Sequence, residues 1–128
     1  MSSLPRILIV DDSILIGNRV RELLTDYHLV ELIGQAYNIE DGRELIEKEH
    51  PDLVILDIGF PGRSGMLLIE EIKKLNDETV VVMFTNYSHV IYRNKCKELG
   101  ADHFFDKSTD LELLMSFLES FQRQKLIH

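Results

Sequence analysis

The chain has 128 residues, of which 45% are hydrophobic and 28% charged, and this composition fits one globular domain over residues 1–128 with a substantial core. The formal net charge of -8 argues against direct binding of nucleic acid through this domain. No apolar run is long enough to span a bilayer, and the first residues lack the pattern of a secretory signal. The chain has a single cysteine, so no internal disulfide can form. We therefore expect a cytoplasmic protein without a membrane partner.

Short apolar segments predict five β-strands, and β-branched residues enrich the first four of them. In chain order the strands are β1 (6–10), β2 (30–36), β3 (52–57), β4 (79–84) and β5 (102–105). Segments with the apolar spacing of amphipathic helices follow each strand. They predict α1 (13–27), α2 (39–49), α3 (64–75), α4 (88–99) and α5 (109–124).

Several residues have the chemistry of helix ends. Asn38 is a favourable N-cap for α2, and Ser88 predicts the start of α4. Gly100 predicts the C-terminal end of α4, because glycine adopts the left-handed conformation that ends many helices. Thr109 and Glu112 have the spacing of a capping box at the start of α5.

Strands and helices alternate along the chain. Strands that are apolar on both faces and are separated by helices imply a parallel sheet covered on both sides. The sequence therefore predicts a doubly wound α/β fold of five βα units, with helices on both faces of a five-stranded parallel sheet.

Polar residues stand at the carboxyl ends of four predicted strands, where ligands of doubly wound sheets bind. They are Asp11 and Asp12 after β1, Asp57 at the end of β3, Thr85 after β4 and Lys107 after β5. Carboxylates that meet at one edge repel one another and raise one another's pKa. A divalent cation with oxygen preference relieves this repulsion, and Mg²⁺ suits such a site because it keeps positions for water and phosphate.

Each of these residues also has a purely structural interpretation. Asp12 could be only a helix N-cap, and Asp57 could only begin a turn completed by Pro61 and Gly62. Thr85 could be an ordinary strand residue, and Lys107 a solvated loop charge. Nothing structural demands that all of them stand at strand ends together, and this coincidence favours a shared site.

Other ligand-binding motifs are missing from the sequence. The stretch "FPGRSG" lacks the spacing of a Walker loop, and no G-x-G-x-x-G follows β1. The five histidines have no zinc-site spacing, and Cys96 is expected to be a small helical filler rather than a reactive thiol.

Taken together, the motifs resemble the receiver domain of two-component response regulators over nearly the whole chain. The matching stretches are "ILIVDDS", "PDLVILDIGFPGRSGMLLIEEIK", "VVVMFTN" and "LGADHFFDKS". The resemblance implies the strand order 2-1-3-4-5. It also implies that Asp57 is the phosphoacceptor, and that Asp11, Asp12, Asp57 and the backbone carbonyl of Gly59 hold Mg²⁺.

The resemblance also implies a switch. Thr85 would hydrogen-bond the phosphoryl oxygen, Lys107 would pair with it, and Phe104 would be the switch aromatic. The expected partners are a histidine kinase or phosphotransfer protein and a downstream protein or output domain. We expect no enzymatic activity beyond autophosphorylation from small phosphodonors and autodephosphorylation. A homodimer through the α4–β5–α5 face is a further expectation, although Val90 and Ile91 could instead be core.

Two of the places where the chain departs from the usual receiver pattern lead to predictions. Ser108 follows Lys107 where a cis proline is usual, and a cis bond without proline costs about 2.5–4 kcal/mol, so we predict a trans Lys107–Ser108 bond. Asn86 and Tyr87 follow Thr85, and we expect them to narrow the access of the attacking water and to prolong the phosphorylated state.

Two other functions remain open at this point. The chain could be the receiver of a DNA-binding transcription regulator whose output domain is not in the sequence. It could also be a metal-dependent phosphatase with an aspartyl nucleophile, although Asp57 is followed by Ile58 and Gly59 rather than by the D-x-D pattern of those enzymes.

Overall fold

The chain forms a five-stranded parallel sheet in a computed structural model that describes residues 4–14, 17–18, 21–22, 31–59 and 65–127. The strands are β1 (Arg6–Val10), β2 (Glu31–Ala36), β3 (Leu53–Leu56), β4 (Val80–Thr85) and β5 (His103–Asp106). Their order in the sheet is β2-β1-β3-β4-β5, which confirms the predicted topology.

Four helices lie within the described residues, and they confirm the alternating pattern from β2 onward. They are α2 (Ile39–Glu49), α3 (Met66–Leu75), α4 (Val90–Leu99) and α5 (Leu111–Ile127). Most of the predicted helix α1 (13–27) and the predicted turn at Pro61 and Gly62 lie outside the described residues.

Two of the predicted helix ends are confirmed. The side chain of Asn38 accepts a hydrogen bond from the Asp41 N–H, with an Oδ1–N distance of 2.8 Å, and so caps α2. Gly100 ends α4 with a φ of 116°. A residue with a Cβ is sterically disfavoured at this φ, because the Cβ approaches the following carbonyl oxygen.

Two other helix starts differ from the prediction. His89, rather than Ser88, caps α4, because its Nδ1 accepts a hydrogen bond from the Ile91 N–H at 3.2 Å. Helix α5 begins at Leu111, so Thr109 is not its N-cap, and the Thr109 hydroxyl donates to Asp110 Oδ1 at 3.0 Å instead.

Both faces of the sheet are buried, as the apolar strands predicted. Alternate strand residues point to opposite faces. Leu8, Val54 and Val81 pack with residues of α2, α3 and α4 on one face. On the other face, α5 packs through Leu114, Leu118 and Phe121 against a cluster that includes Ile7, Ile9, Leu53, Ile55, Val82 and Phe84.

Cys96 belongs to the core under α4, as expected for a small filler. The residue is fully buried, and burial raises the pKa of its thiol to about 11. The thiol is therefore protonated at neutral pH and is a poor nucleophile.

The outer surface of α4 decides a question that the sequence left open. Val90 and Ile91 are 58% and 66% exposed, so they are surface residues and not core residues.

Among the described residues, no helix is both long enough and apolar enough to cross a membrane.

The register of the strands brings the carboxyl ends of β1 and β3 together, and likewise those of β4 and β5. Val10 pairs with Leu56 across β1 and β3, and the Asp57 N–H donates to the Val10 carbonyl at 3.1 Å. The residues that follow these two strands therefore begin side by side. Thr85 pairs with Asp106 across β4 and β5, which brings the next residue, Lys107, to the same edge.

We expect Gly100→Ala to lower the free energy of unfolding by about 1–2 kcal/mol, because a Cβ is disfavoured at a φ of 116°. The added Cβ would also lie 2.9 Å from Lys73 Cγ. This side chain has little room to move, because Lys73 Nζ donates to Asp102 Oδ2 and to the Thr79 carbonyl, each at 2.7 Å. Urea unfolding measures the change.

Asn94→Ala, at an exposed position of the same helix, is the control, and a surface change of this kind alters stability by no more than about 0.5 kcal/mol. Equal unfolding midpoints for the two variants would show that the left-handed conformation of residue 100 carries no stability.

Candidate functional site

Three carboxylates meet at the carboxyl edge of the central strands. Asp11 follows β1 and Asp57 follows β3, and hydrogen bonds between the two strands hold these residues next to each other. One carboxylate oxygen from each of Asp11, Asp12 and Asp57 lies within 4.8 Å of the other two. The grouping predicted from the strand ends is therefore confirmed.

Lys107 supplies the positive charge of this cluster. Its Nζ lies 2.6 Å from Asp11 Oδ2 and 2.8 Å from Asp57 Oδ2. The lysine side chain is only 7% exposed, and Asp11 and Asp57 are buried as well. The interpretation of Lys107 as a solvated loop charge is therefore wrong.

Burial and the ion pair shift the protonation of these groups in opposite directions. Burial raises the pKa of Asp11, and the hydrogen bond from Lys107 offsets only part of this effect. Burial also acts to lower the pKa of Lys107, but its hydrogen bonds to Asp11 and Asp57 outweigh burial and raise that pKa above the usual value. One ammonium group thus pairs with two of the three carboxyl groups of the cluster.

The Asp57 side chain also contacts the backbone that follows β3. Asp57 Oδ1 accepts a hydrogen bond from the Gly59 N–H at 3.0 Å. Its other oxygen, Oδ2, accepts from Lys107. Gly65 packs against the same turn, since a Cβ at this position would lie 2.6 Å from the Asp57 carbonyl oxygen.

An open cavity of about 330 Å³ lies over the Asp57 carboxylate. Its lining consists of Asp12, Ser13, Asp57, Gly59, Asn86, Tyr87 and Lys107. Tyr87 is close to Gly59, because a Cβ added to the glycine would lie 2.9 Å from Tyr87 Cε2. Asn86 and Tyr87 therefore belong to the lining of the cavity that contains the Asp57 carboxylate.

Thr85 and Phe104 lie outside the lining of this cavity, and each packs in different surroundings. Thr85 is buried at the end of β4, where its Oγ1 accepts from the Tyr87 N–H at 3.2 Å and its carbonyl accepts from the Lys107 N–H at 2.9 Å. Phe104 packs against the core cluster that includes the α4 residue Cys96. The guanidinium carbon of Arg93 lies 4.6 Å from the centre of the Phe104 ring.

Sequence reasoning missed one residue that supports the site. Gln35 lies on β2, and its Nε2 donates to the backbone carbonyls of Asp11, at 2.8 Å, and Ser13, at 3.1 Å. This amide fixes the backbone that carries the β1 carboxylates. A polar residue inside the apolar run of β2 was the available signal.

The carboxylate cluster fits a small divalent cation. Ligand distances of about 2.1 Å around Mg²⁺ require oxygens that are close together, and the three carboxylates approach this condition. The donors are all oxygens, which Mg²⁺ prefers. Asp11, Asp12 and Asp57 are therefore suited to hold the ion.

The chain matches one protein family over most of its length. The sequence model of the response regulator receiver domain matches residues 7–119. Among curated proteins, a sensory transduction protein, LytT, from Bacillus anthracis is 31% identical over 120 residues, which are 94% of this chain and 48% of that protein. The chain thus spans about half the length of most of the curated relatives it matches.

Solved structures give the same result. A CheY-like receiver domain from Methanospirillum hungatei matches with a TM-score of 0.84 and 27% identity, over 96% of this chain and 97% of that one. A LuxR-family DNA-binding response regulator from Staphylococcus aureus matches with a TM-score of 0.83 and 25% identity, over 93% of this chain and 99% of that one.

Replacing Lys107 with methionine tests the charge balance of the cluster. In metal-free buffer we expect Lys107→Met to lower the free energy of unfolding by roughly 3–5 kcal/mol, because it leaves buried carboxylates without their cation. Mg²⁺ should restore more stability to this variant than to the parent, because the cation then meets no competing ammonium. Urea unfolding with EDTA or with Mg²⁺ measures both effects.

Lys95→Met is the matched control, since Lys95 is exposed and its Nζ lies 3.9 Å from Glu98 Oε2 in a surface pair. If the two variants lose the same stability and respond equally to Mg²⁺, Lys107 does not balance the carboxylates.

Proposed function

The chain belongs to the response regulator receiver domain family, and we propose that Asp57 is the residue on which it accepts a phosphoryl group. The observation that carries this proposal is the position of the Asp57 carboxylate. It lies in a cavity beside two further carboxylates and within 2.8 Å of Lys107 Nζ. A carboxylate at such a position can attack phosphorus and form an aspartyl phosphate.

The carboxylate cluster supports a requirement for Mg²⁺. We assign Asp11, Asp12, Asp57 and the Gly59 carbonyl as its ligands. When bound, the ion neutralises negative charge that would otherwise repel the phosphodonor. Asp12 is exposed and lines the cavity, so it leaves the ion accessible to a donor phosphate.

Lys107 and Thr85 would act on the phosphoryl group itself. The lysine ammonium already contacts Asp57 Oδ2, so it lies next to the oxygens of a phosphoryl group that is bonded to the Asp57 carboxylate. The Thr85 hydroxyl accepts from the Tyr87 N–H, and its own hydrogen remains to donate. Both groups would then donate to the oxygens on which negative charge develops.

Phosphorylation would change the balance of charge around Lys107. A phosphoryl group adds about -1.5 to -2 charge and strong acceptor oxygens. Drawing Thr85 and Lys107 towards these oxygens biases Phe104 and the α4–β5–α5 region between two arrangements. A near-complete switch needs about 5.5 kcal/mol of differential binding. A few charge-assisted hydrogen bonds at roughly 1.5–3 kcal/mol each supply this amount.

The partners follow from this role. A histidine kinase or a phosphotransfer protein in the cytoplasm would supply the phosphoryl group. The α4–β5–α5 face would bind a downstream partner or a second copy of the chain, and apolar side chains on this face support that assignment. Val90 and Ile91 on α4 are exposed, and Leu113 on α5 is 59% exposed.

Control of a DNA-binding output domain is a more specific form of the same function. It is favoured by the relatives, because the chain spans about half of most curated relatives and resembles a DNA-binding response regulator. In this case phosphorylation of Asp57 would act on DNA through the attached domain. The receiver itself would catalyse only its own phosphorylation from small donors and its own dephosphorylation.

Incubation with acetyl phosphate and Mg²⁺ tests the phosphoacceptor directly. We expect the intact mass to increase by one phosphoryl group in the parent, and no increase in Asp57→Asn or in the presence of EDTA. Asp77→Asn, which changes an exposed acid in the loop between α3 and β4, is the control and should be labelled like the parent. Labelling of Asp57→Asn to the level of the parent would refute the assignment.

The residues at the mouth of the cavity should set the lifetime of the phosphorylated form. We expect Asn86→Ala and Tyr87→Ala each to speed phosphate loss severalfold, because water then reaches the aspartyl phosphate more easily. The Tyr87 ring packs edge-on against Tyr92, with 5.7 Å between the ring centres. Decay of the labelled protein, followed by mass after removal of donor, measures the rate.

Tyr37→Ala removes an exposed aromatic ring beyond β2 and serves as the control, with an unchanged decay rate expected. Decay rates of Asn86→Ala and Tyr87→Ala that equal that of the parent would contradict a role for these side chains in limiting water access.

A further inference from the structure

The last residue of β5, Asp106, holds the residue that follows Lys107. Asp106 Oδ1 accepts two hydrogen bonds from Ser108, one from its N–H at 2.8 Å and one from its hydroxyl at 2.6 Å. The carboxylate therefore reaches across Lys107 and closes a turn with Lys107 at its centre. Asp and Ser side chains commonly make such turns with nearby backbone groups.

The backbone of Asp106 is tied to the start of α5 by further hydrogen bonds. The Asp106 N–H donates to Asp110 Oδ2 at 2.8 Å. The Asp106 carbonyl accepts from the Asp110 N–H at 2.8 Å and from the Thr109 N–H at 3.2 Å. Asp106 thus contacts each of the three residues after Lys107 and sets the path of the β5–α5 loop.

The backbone of Lys107 is also fixed from the opposite side. Its N–H donates to the Thr85 carbonyl on β4 at 2.9 Å. With the peptide groups on both sides of Lys107 held, its Cα has one position from which the side chain extends to Asp11 and Asp57. A lysine side chain is long and flexible, so a fixed backbone origin matters for where its ammonium lies.

The Asp106 carboxylate is ionised at neutral pH. Hydrogen bonds from Ser108 and from the Ser88 side chain lower its pKa, and Arg93 adds to this effect. The two bonds from Ser108 are therefore bonds to a charged acceptor, which are shorter and stronger than bonds between neutral groups.

We propose that Asp106 is a positioning residue for phosphoryl transfer, which acts through its turn with Ser108 to hold Lys107 against Asp57. The proposal rests on the role of Lys107 given above. The trans Lys107–Ser108 bond predicted from the sequence is confirmed. The proline usual after this lysine in receiver domains has neither an N–H nor a hydroxyl, so it could donate neither of the bonds that Ser108 gives to Asp106.

The rate of labelling by acetyl phosphate at saturating Mg²⁺ tests this role. We expect Asp106→Ala to slow labelling about 10-fold, within the loss of about 100-fold that a misplacement of 1 Å can cause. Asp106→Asn keeps an oxygen that accepts from Ser108 and should recover most of the rate. Ser108→Ala removes only the hydroxyl donor and should give a smaller loss in the same direction.

A double-variant cycle separates positioning from general loss of structure. If Asp106 acts through Lys107, adding Asp106→Ala to Lys107→Met costs no further labelling rate. A rate for Asp106→Ala equal to that of the parent would overturn the proposal. The proposal would also be overturned if Asp106→Ala lowered the labelling rate by the same factor in the parent and in Lys107→Met.

The same cycle in urea unfolding, without Mg²⁺ or phosphodonor, keeps this inference distinct from the phosphoacceptor assignment. The proposal expects the stability losses of Asp106→Ala and Lys107→Met to be less than additive, because both disturb one ion cluster. Additive losses overturn it. Failure of the parent to become labelled would instead count against the proposed function, and the unfolding cycle would still decide the role of Asp106.

Discussion

The buried contact between one ammonium and two carboxylates is the interaction on which the rest of the site depends. Lys107 Nζ lies within 2.8 Å of both Asp11 Oδ2 and Asp57 Oδ2, and all three side chains are removed from water. Buried charges are costly even when they are paired, and a third carboxyl group, that of Asp12, lies beside the pair. Well-packed apolar residues are often as stabilising as a buried ion pair, so stability alone does not account for charged residues at these positions.

The sheet supplies the rigidity that such a cluster requires. Its central strands are buried on both faces, and their register sets Asp11 beside Asp57. Lys107 and Tyr87 lie instead beyond the ends of β5 and β4. The carboxylates are thus placed by the sheet, and the groups that border them are placed by the connections that follow it.

Local patterns predicted the strands and the acids at their ends, and the resemblance to receiver domains supplied the strand order that puts β1 next to β3. Apolar runs identify the strands, and acids directly after them must lie at one edge of a parallel sheet. Polar contacts that the apolar pattern does not encode were not predicted. The Asp110 carboxylate at the start of α5 accepts from the Asp106 N–H, and the support of Asp11 comes from Gln35 on a neighbouring strand. The burial of Lys107 likewise appears only when β5 is placed beside β4.

Contacts around Thr85 join the acidic cluster to the exposed face of α4. The Thr85 carbonyl binds the Lys107 N–H, its hydroxyl binds the Tyr87 N–H, and the Tyr87 ring contacts Tyr92 on α4. Contact alone is not coupling, which requires an element with two arrangements that both ends bias. Thr85 would be such an element if donation by its hydroxyl to a phosphoryl oxygen moved the same oxygen that accepts from the Tyr87 N–H. In that case a new charge at Asp57 would act on the backbone of Tyr87, whose ring contacts Tyr92 on α4.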